Sequence, residues 1–223
     1  QGLVGAADRY DYVALRGFIE NSTDNTIYDG LKLLSDSGTF SSIQIDPYFV
    51  ERIDVFRGPS SVLFGRSAPG GLVQLTSKRP LFEPYRSVEV SYGTQGQKSA
   101  GFDVAGPVDD NGKVAYRVTG LGRSTDTQFD NTREERYAIA PQVMFNFTPD
   151  TSLLLQAYLQ CDPSGGFHSG VPADASITND HAGQRISRHF VDSDPDNNEF
   201  KRNERIFSCL LYTSDAADDS LRV

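Results

Sequence analysis

From Tyr85 to Gln160 apolar side chains return at every second position, and this alternation limits the possible folds more than any other feature of the chain. Val88, Val90 and Tyr92 stand against Glu89 and Ser91, and Ala100, Phe102 and Val104 against Gly101 and Asp103. Val114, Tyr116 and Val118 stand against Arg117 and Thr119. In the next run Tyr137, Ile139, Val143, Phe145 and Phe147 share a face opposite Gln142 and Asn146. In the last, Leu153, Leu155, Ala157 and Leu159 alternate with Gln156, Tyr158 and Gln160. A period of two puts each set on one face of a strand. The pattern predicts five antiparallel strands with one apolar and one polar face.

Two arrangements use such strands. A soluble β-sandwich packs the apolar faces inward and prefers strands of about five or six residues. A membrane barrel turns them out to lipid and needs about ten residues per tilted span. The turns also alternate in length. Asp109–Gly112 and Thr148–Asp150 are short, whereas Asp126–Glu134 and Asp162–Glu199 are long. Tyr85, Tyr92, Tyr137 and Phe147 sit near strand ends, where an interfacial girdle belongs. Strand length, polar second faces and loop asymmetry favour the barrel over the sandwich. No run of 18 apolar residues occurs, which excludes a transmembrane helix and leaves a barrel open.

Before Tyr85 the pattern is mixed α/β. Strands are expected at Tyr10–Gly17, Ile53–Phe56 and Leu72–Ser77, with a hairpin turn at Asp29–Gly30 within Thr26–Leu34. Asp46 as cap and Pro47 at the first position predict a short helix, Pro47–Arg52. Ser60–Phe64 reads as a helical turn closed by Gly65. Gly58, Gly65, Gly70 and Gly71 permit sharp turns, but no Gly-Lys-Ser/Thr follows, which excludes a nucleotide phosphate loop. A net charge of −9 argues against nucleic-acid binding. Cys161 and Cys209 are too few for a disulfide framework. His168, His181 and His189 lack metal-ligand spacing and read as solvated loop residues. The tail Cys209–Val223 shows no strand alternation and looks like the translation of a sequencing-library adapter. It is set aside as non-native, with the true protein expected to continue past Ser208.

Ile45–Pro80, reading IDPYFVERIDVFRGPSSVLFGRSAPGGLVQLTSKRP, resembles the C-terminal half of the plug of a TonB-dependent outer-membrane receptor. RGF at Arg16–Phe18 and YDGLKL at Tyr28–Leu33 are similar to the siderophore-receptor subgroup. AYRVTGLGRS at Ala115–Ser124 and RYAIAP at Arg136–Pro141 resemble the ferrichrome-type hydroxamate receptors. The resemblance covers Gln1–Ser208. It implies a mixed α/β plug domain over 1–84, truncated at its N-terminus. Over 85–208 it implies the first five antiparallel transmembrane strands of an incomplete 22-stranded β-barrel. Pro84 marks the expected boundary, and 209–223 is the non-native tail. Thr94–Gln97, Asp126–Glu134 and Asp162–Glu199 would face outward, and Asp109–Gly112 and Thr148–Asp150 the periplasm.

The resemblance also implies roles. Arg16 and Arg57, each before a Gly, fall where the family docks its plug against barrel-wall carboxylates; solvated surface arginines are the plainer alternative. Asn21, Ser22 and Thr23 fall in an apex loop, with one residue deleted. Phe40 stands where related receptors carry a ligand-facing tyrosine, and Val4 where ferrichrome receptors carry an arginine. Phe167 and His168 fall in an outer-loop aromatic cluster, with Gly170 in place of a tryptophan. Phe40 and Phe167 also suit plain loop packing. A ferric hydroxamate presents amides and methylenes, which aromatic faces and a few donors suit.

The implied protein takes up a ferric siderophore through the outer membrane of a Gram-negative bacterium. Its partners are the siderophore, the TonB energy-transducing complex and outer-membrane lipid, with no nucleic acid. It is not an enzyme and needs no cofactor or metal of its own; the ferric siderophore is cargo. The TonB box and the export signal are expected outside this chain. Cobalamin, heme or an oligosaccharide is the alternative cargo, and a soluble secreted lectin or hydrolase the alternative class. For the latter no carboxylate pair stands out. Five strands cannot close into a ring, so Gln1–Val223 expressed alone should aggregate in plain buffer. A monomeric, cooperative unfolding transition without detergent would contradict this.

Overall fold

The computed structural model describes residues 6–7, 14–15, 18–19, 26–33, 43–59, 64–65, 67, 69–109, 111–127, 132–165, 168–169, 183–187, 189–190 and 201–213. They fall into two compact units. The first takes Gln1–Lys78, Thr125–Glu135 and Pro163–Lys201, the second Arg79–Ser124, Arg136–Asp162 and Arg202–Val223.

In the first unit, β1 (Ala6–Ala7), β2 (Ala14–Leu15) and β3 (Phe18–Ile19) are two-residue strands, and β2 pairs with β3. A four-stranded sheet follows, built from β4 (Thr26–Tyr28), β5 (Leu31–Lys32), β6 (Val50–Arg57) and β7 (Gly71–Ser77) in the order β5-β4-β7-β6. β4 runs parallel to β7, and β6 antiparallel to it. The Asp29–Gly30 hairpin forms as the sequence predicts, with φ of 50° and 82°, the twist that tight hairpins favour. Its tip is tied to β7: Asp29 N–H donates to Leu75 O at 2.9 Å, and Ser77 N–H donates to Asp29 Oδ1 at 2.9 Å. Ile27, Tyr28, Ile45, Phe49 and Leu72 are buried. Burial, reinforced by the neighbouring Asp29 carboxylate, pushes the Tyr28 phenol up, so it stays protonated.

The expected helix Pro47–Arg52 is a single 3-10 turn, Pro47–Phe49. Its start is as read: Asp46 Oδ1 accepts from Tyr48 N–H at 3.1 Å, and Pro47 opens the turn. Its end differs because Val50 is already extended, at φ −97° and ψ 133°. Pairing with β7, from Arg52 opposite Thr76 to Phe56 opposite Leu72, draws these residues into β6. That strand therefore exceeds the expected Ile53–Phe56 and carries an irregularity between Val50 and Arg52. Of the expected strand Tyr10–Gly17, the described part is Ala14–Leu15. Most of Ser60–Phe64 lies outside the described residues.

The second unit is a meander of β8 (Tyr85–Tyr92), β9 (Lys98–Pro107), β10 (Val114–Asp126), β11 (Arg133–Thr148) and β12 (Thr151–Gly165). The next strand, β13 (His168–Ser169), pairs with β1 in the first unit. β14 (Arg202–Thr213) then returns to pair antiparallel with β12. The sheet order is β14-β12-β11-β10-β9-β8.

Two expectations change here. Among the described residues the sheet has six strands, not five, and its last strand includes Cys209–Thr213, paired with Thr151–Leu155. Cys209, Leu210, Leu211 and Tyr212 are apolar in a row and so do not alternate, yet this did not exclude a strand. β14 carries polar Asn203 and Arg205 on its outer set and apolar Ile206 and Leu210 on its inner set, which blurs the period. The expected long loop Asp126–Glu134 is also shorter, because β10 runs to Asp126 and β11 starts at Arg133.

The sheet is inside out by the standards of a water-soluble protein. Val88, Val90 and Tyr92 are 77%, 77% and 78% exposed, and Tyr137, Phe147, Phe207 and Leu211 are exposed on the same face. Asp103, Arg117, Thr119, Gln142, Gln156, Gln160, Asp162 and Glu204 are buried on the other. A sandwich would show the reverse, so the polarity selects a lipid-facing sheet.

One close approach in the first unit is testable. Gly71 has φ of 132°, and a Cβ there would come within 2.1 Å of Phe56 O on β6. Gly71→Ala in the full-length protein should cost about 2–4 kcal/mol, strain and overpacking together. Denaturant unfolding followed by a probe in this unit should show a lower midpoint.

Candidate functional site

The buried face of the second unit is a wall of matched charges. Asp103 on β9 and Arg117 on β10 form a two-pronged pair, Nε to Oδ1 and Nη2 to Oδ2, each 2.8 Å. The third prong of Arg117 donates to Arg79 O at 2.9 Å, and Thr119 Oγ1 donates to Asp103 Oδ1 at 3.2 Å. The Tyr85 ring lies 5.6 Å from the Arg117 guanidinium. With both side chains under a tenth exposed, each ion depends on the other for the hydration it has lost.

A second network crosses β11, β12 and β14. Arg136 grips Asp162 with two 3.0 Å hydrogen bonds. Gln160 Nε2 donates to Asp162 Oδ2 at 2.9 Å, and the Tyr158 hydroxyl donates to Gln160 Oε1. Across the β12–β14 ladder, Arg202 faces Asp162 and Glu204 faces Gln160. Arg202 Nε lies 3.6 Å from Glu204 Oε1. Lower on the same face, Gln142 Oε1 and Ser208 Oγ are buried with no hydrogen-bond partner among the described residues. The wall thus offers neutral amides and hydroxyls between paired ions. Among the described residues there is no group of His, Cys, Asp and Glu that could hold a metal.

In the first unit, β1 and β13 join two segments singled out in the sequence. Ala7 pairs with His168 and Ala6 with Ser169. The segment at His168 is thereby paired with the chain just beyond Val4. Arg57 ends β6 as an exposed residue, with no ion pair among the described residues. Arg16, Asn21, Ser22, Thr23, Phe40 and Phe167 lie outside the described residues, as does the side chain of His168. The ionic pairs of the wall were missed. A signal existed: Asp103, Arg117, Arg136 and Asp162 all fall on the polar parity of their strands.

Residues 4–72 match the family model of the TonB-dependent receptor plug domain. The ferrioxamine receptor of Yersinia enterocolitica is 49% identical over 207 residues, covering 93% of this chain and 28% of the relative. The ferrichrome outer membrane transporter/phage receptor of Escherichia coli K12 is 38% identical over 208 residues, covering 92% and 27%. The chain therefore spans under a third of the length of these relatives. The crystal structure of the Pseudomonas aeruginosa ferripyoverdine receptor superposes with a TM-score of 0.74 at 23% identity, over 93% of this chain and 27% of that one. At that identity the likeness speaks for the fold, a plug followed by barrel strands.

Removing one partner of the Asp103–Arg117 pair strands the other. Arg117→Leu in the full-length protein should cost about 3–5 kcal/mol, and the double change Asp103→Leu/Arg117→Leu clearly less. Thermal unfolding in detergent measures both.

Proposed function

As the chain belongs to the TonB-dependent siderophore receptors, we propose that the whole protein imports a ferric hydroxamate siderophore across the outer membrane of a Gram-negative bacterium. The observation that carries this reading is the identity of 49% to a ferrioxamine receptor, held across nearly the entire chain. The relatives are receptors and transporters, which fits a protein that binds and passes cargo without a chemical step.

A ferrioxamine-type cargo is favoured over ferrichrome. Identity to the ferrichrome transporter is lower, at 38%. The family resemblance also gives Val4 where ferrichrome receptors carry an arginine, and Phe40 where a ligand-facing tyrosine stands. Cargo would meet Asn21, Ser22, Thr23 and Phe40 on the plug side and Phe167 and His168 on the outer-loop side. The β1–β13 ladder, which puts His168 beside Ala7, supports a shared site. Arg16 and Arg57 would dock the plug, and the exposure of Arg57 leaves it available for a carboxylate elsewhere in the protein. The six-stranded sheet would be the start of a 22-stranded barrel, with residues 1–84 as plug. Energy would come from the TonB complex of the inner membrane, because the outer membrane holds no nucleotide supply. Plug opening would then draw on locally weak structure.

The test is binding of radiolabelled ferric ferrioxamine B and ferrichrome to the full-length receptor in detergent, with uptake by iron-starved cells. We expect tighter binding of ferrioxamine B and uptake that disappears when TonB is removed. Failure to bind any ferric hydroxamate would overturn the reading.

A further inference from the structure

The ion cluster of β11, β12 and β14 sits where the β12–β14 ladder ends. Asp162 and Arg202 are its last register pair; beyond them β12 continues to Gly165, and the chain does not rejoin the sheet until Arg202. Both roots of the long connection 166–201 thus carry ion-paired residues that face each other across the ladder. Asp162 is on the departing strand, held by Arg136 of β11; Arg202 and Glu204 are on the returning strand, 3.6 Å apart and in register with Asp162 and Gln160. Stability alone gives little reason for such a cluster. A buried ion pair seldom outperforms apolar packing of the same volume, and its best-attested use is to fix register. A fork of Arg136 on Asp162, with Gln160 and Tyr158 locking the carboxylate from below, holds one geometry. The Asp103–Arg117 pair, on β9 and β10, flanks no long connection and serves as an internal control.

We propose that Arg136, Asp162, Arg202 and Glu204 form a positioning clamp that fixes both roots of the connection 166–201 and so sets the affinity for cargo. This rests on the reading of the protein as a hydroxamate receptor. A long connection with free roots must be ordered when cargo binds, and the ordering is subtracted from affinity. A connection whose ends are already fixed is charged less. The clamp residues need not touch the cargo.

The experiment uses the full-length receptor with ferric ferrioxamine B as probe. Arg136→Gln and Asp162→Asn should each raise Kd about tenfold, a change of about 1.4 kcal/mol. They should also speed amide exchange at 160–165 and 202–206, while 151–156 and 208–213 keep their protection. Arg136→Lys keeps the charge but loses the fork, and should fall between wild type and Arg136→Gln. Should the stronger variants fail to fold, this one still decides the matter. The exchanged pair Arg136→Asp/Asp162→Arg should recover most of the affinity. Asp103→Asn should lower stability and leave exchange at 160–165 unchanged. The clamp is refuted if Kd stays at the wild-type value in Arg136→Lys and in whichever stronger variants fold, or if exchange at the two roots is unaltered. A wild-type receptor that binds no ferric hydroxamate refutes the cargo reading instead, and the exchange arm still judges the clamp.

Discussion

A strand that crosses lipid has no water to turn to, so every backbone donor and acceptor must be met by a neighbouring strand. Backbone pairing then occupies the plane of the sheet and leaves only two directions for side chains. In the second unit these two directions are largely sorted. Val88, Val90, Tyr92 and Phe207 project outward, while Asp103, Arg117, Gln156 and Asp162 are enclosed. The sorting is what makes a charged inner wall affordable: ions excluded from lipid can satisfy one another on the enclosed face.

The enclosed ions come as forks. A guanidinium with two prongs on one carboxylate has a single acceptable geometry, so it fixes the relative height of the strands that carry it. Asp103–Arg117 does this for β9 and β10, and Arg136–Asp162 for β11 and β12. Outside, the sheet uses apolar contacts for the same end. The Phe102 ring lies over Gly120, its register partner, so closely that a Cβ there would meet the ring at 2.3 Å. An aromatic ring laid across a bare glycine fills the gap and marks the register.

Much of this was legible in the residues, for identifiable reasons. The strands β8 to β12 follow from period-two alternation because each carries most of its large apolar residues on one parity. β14 escaped because Ile206 and Leu210 share parity with Arg202 and Glu204, so neither face reads as purely apolar or polar. The Asp29–Gly30 turn was legible because its backbone demands a residue such as glycine at positive φ. The helix after Pro47 was misjudged because its cap is genuine while the following residues belong to a strand. Caps report where a helix starts, and say nothing of how far it runs. The partners inside the wall lie beyond sequence reasoning of this kind: parity shows that Asp162 and Arg136 share a face, and only the fold shows that they meet.

The join between β1 and β13 has just two rungs, Ala6 with Ser169 and Ala7 with His168. Each rung is worth only about 1 kcal/mol net. Such a join behaves as a mechanical fuse. With so few rungs it opens at a small fraction of what parting the twelve-rung β12–β14 ladder would cost.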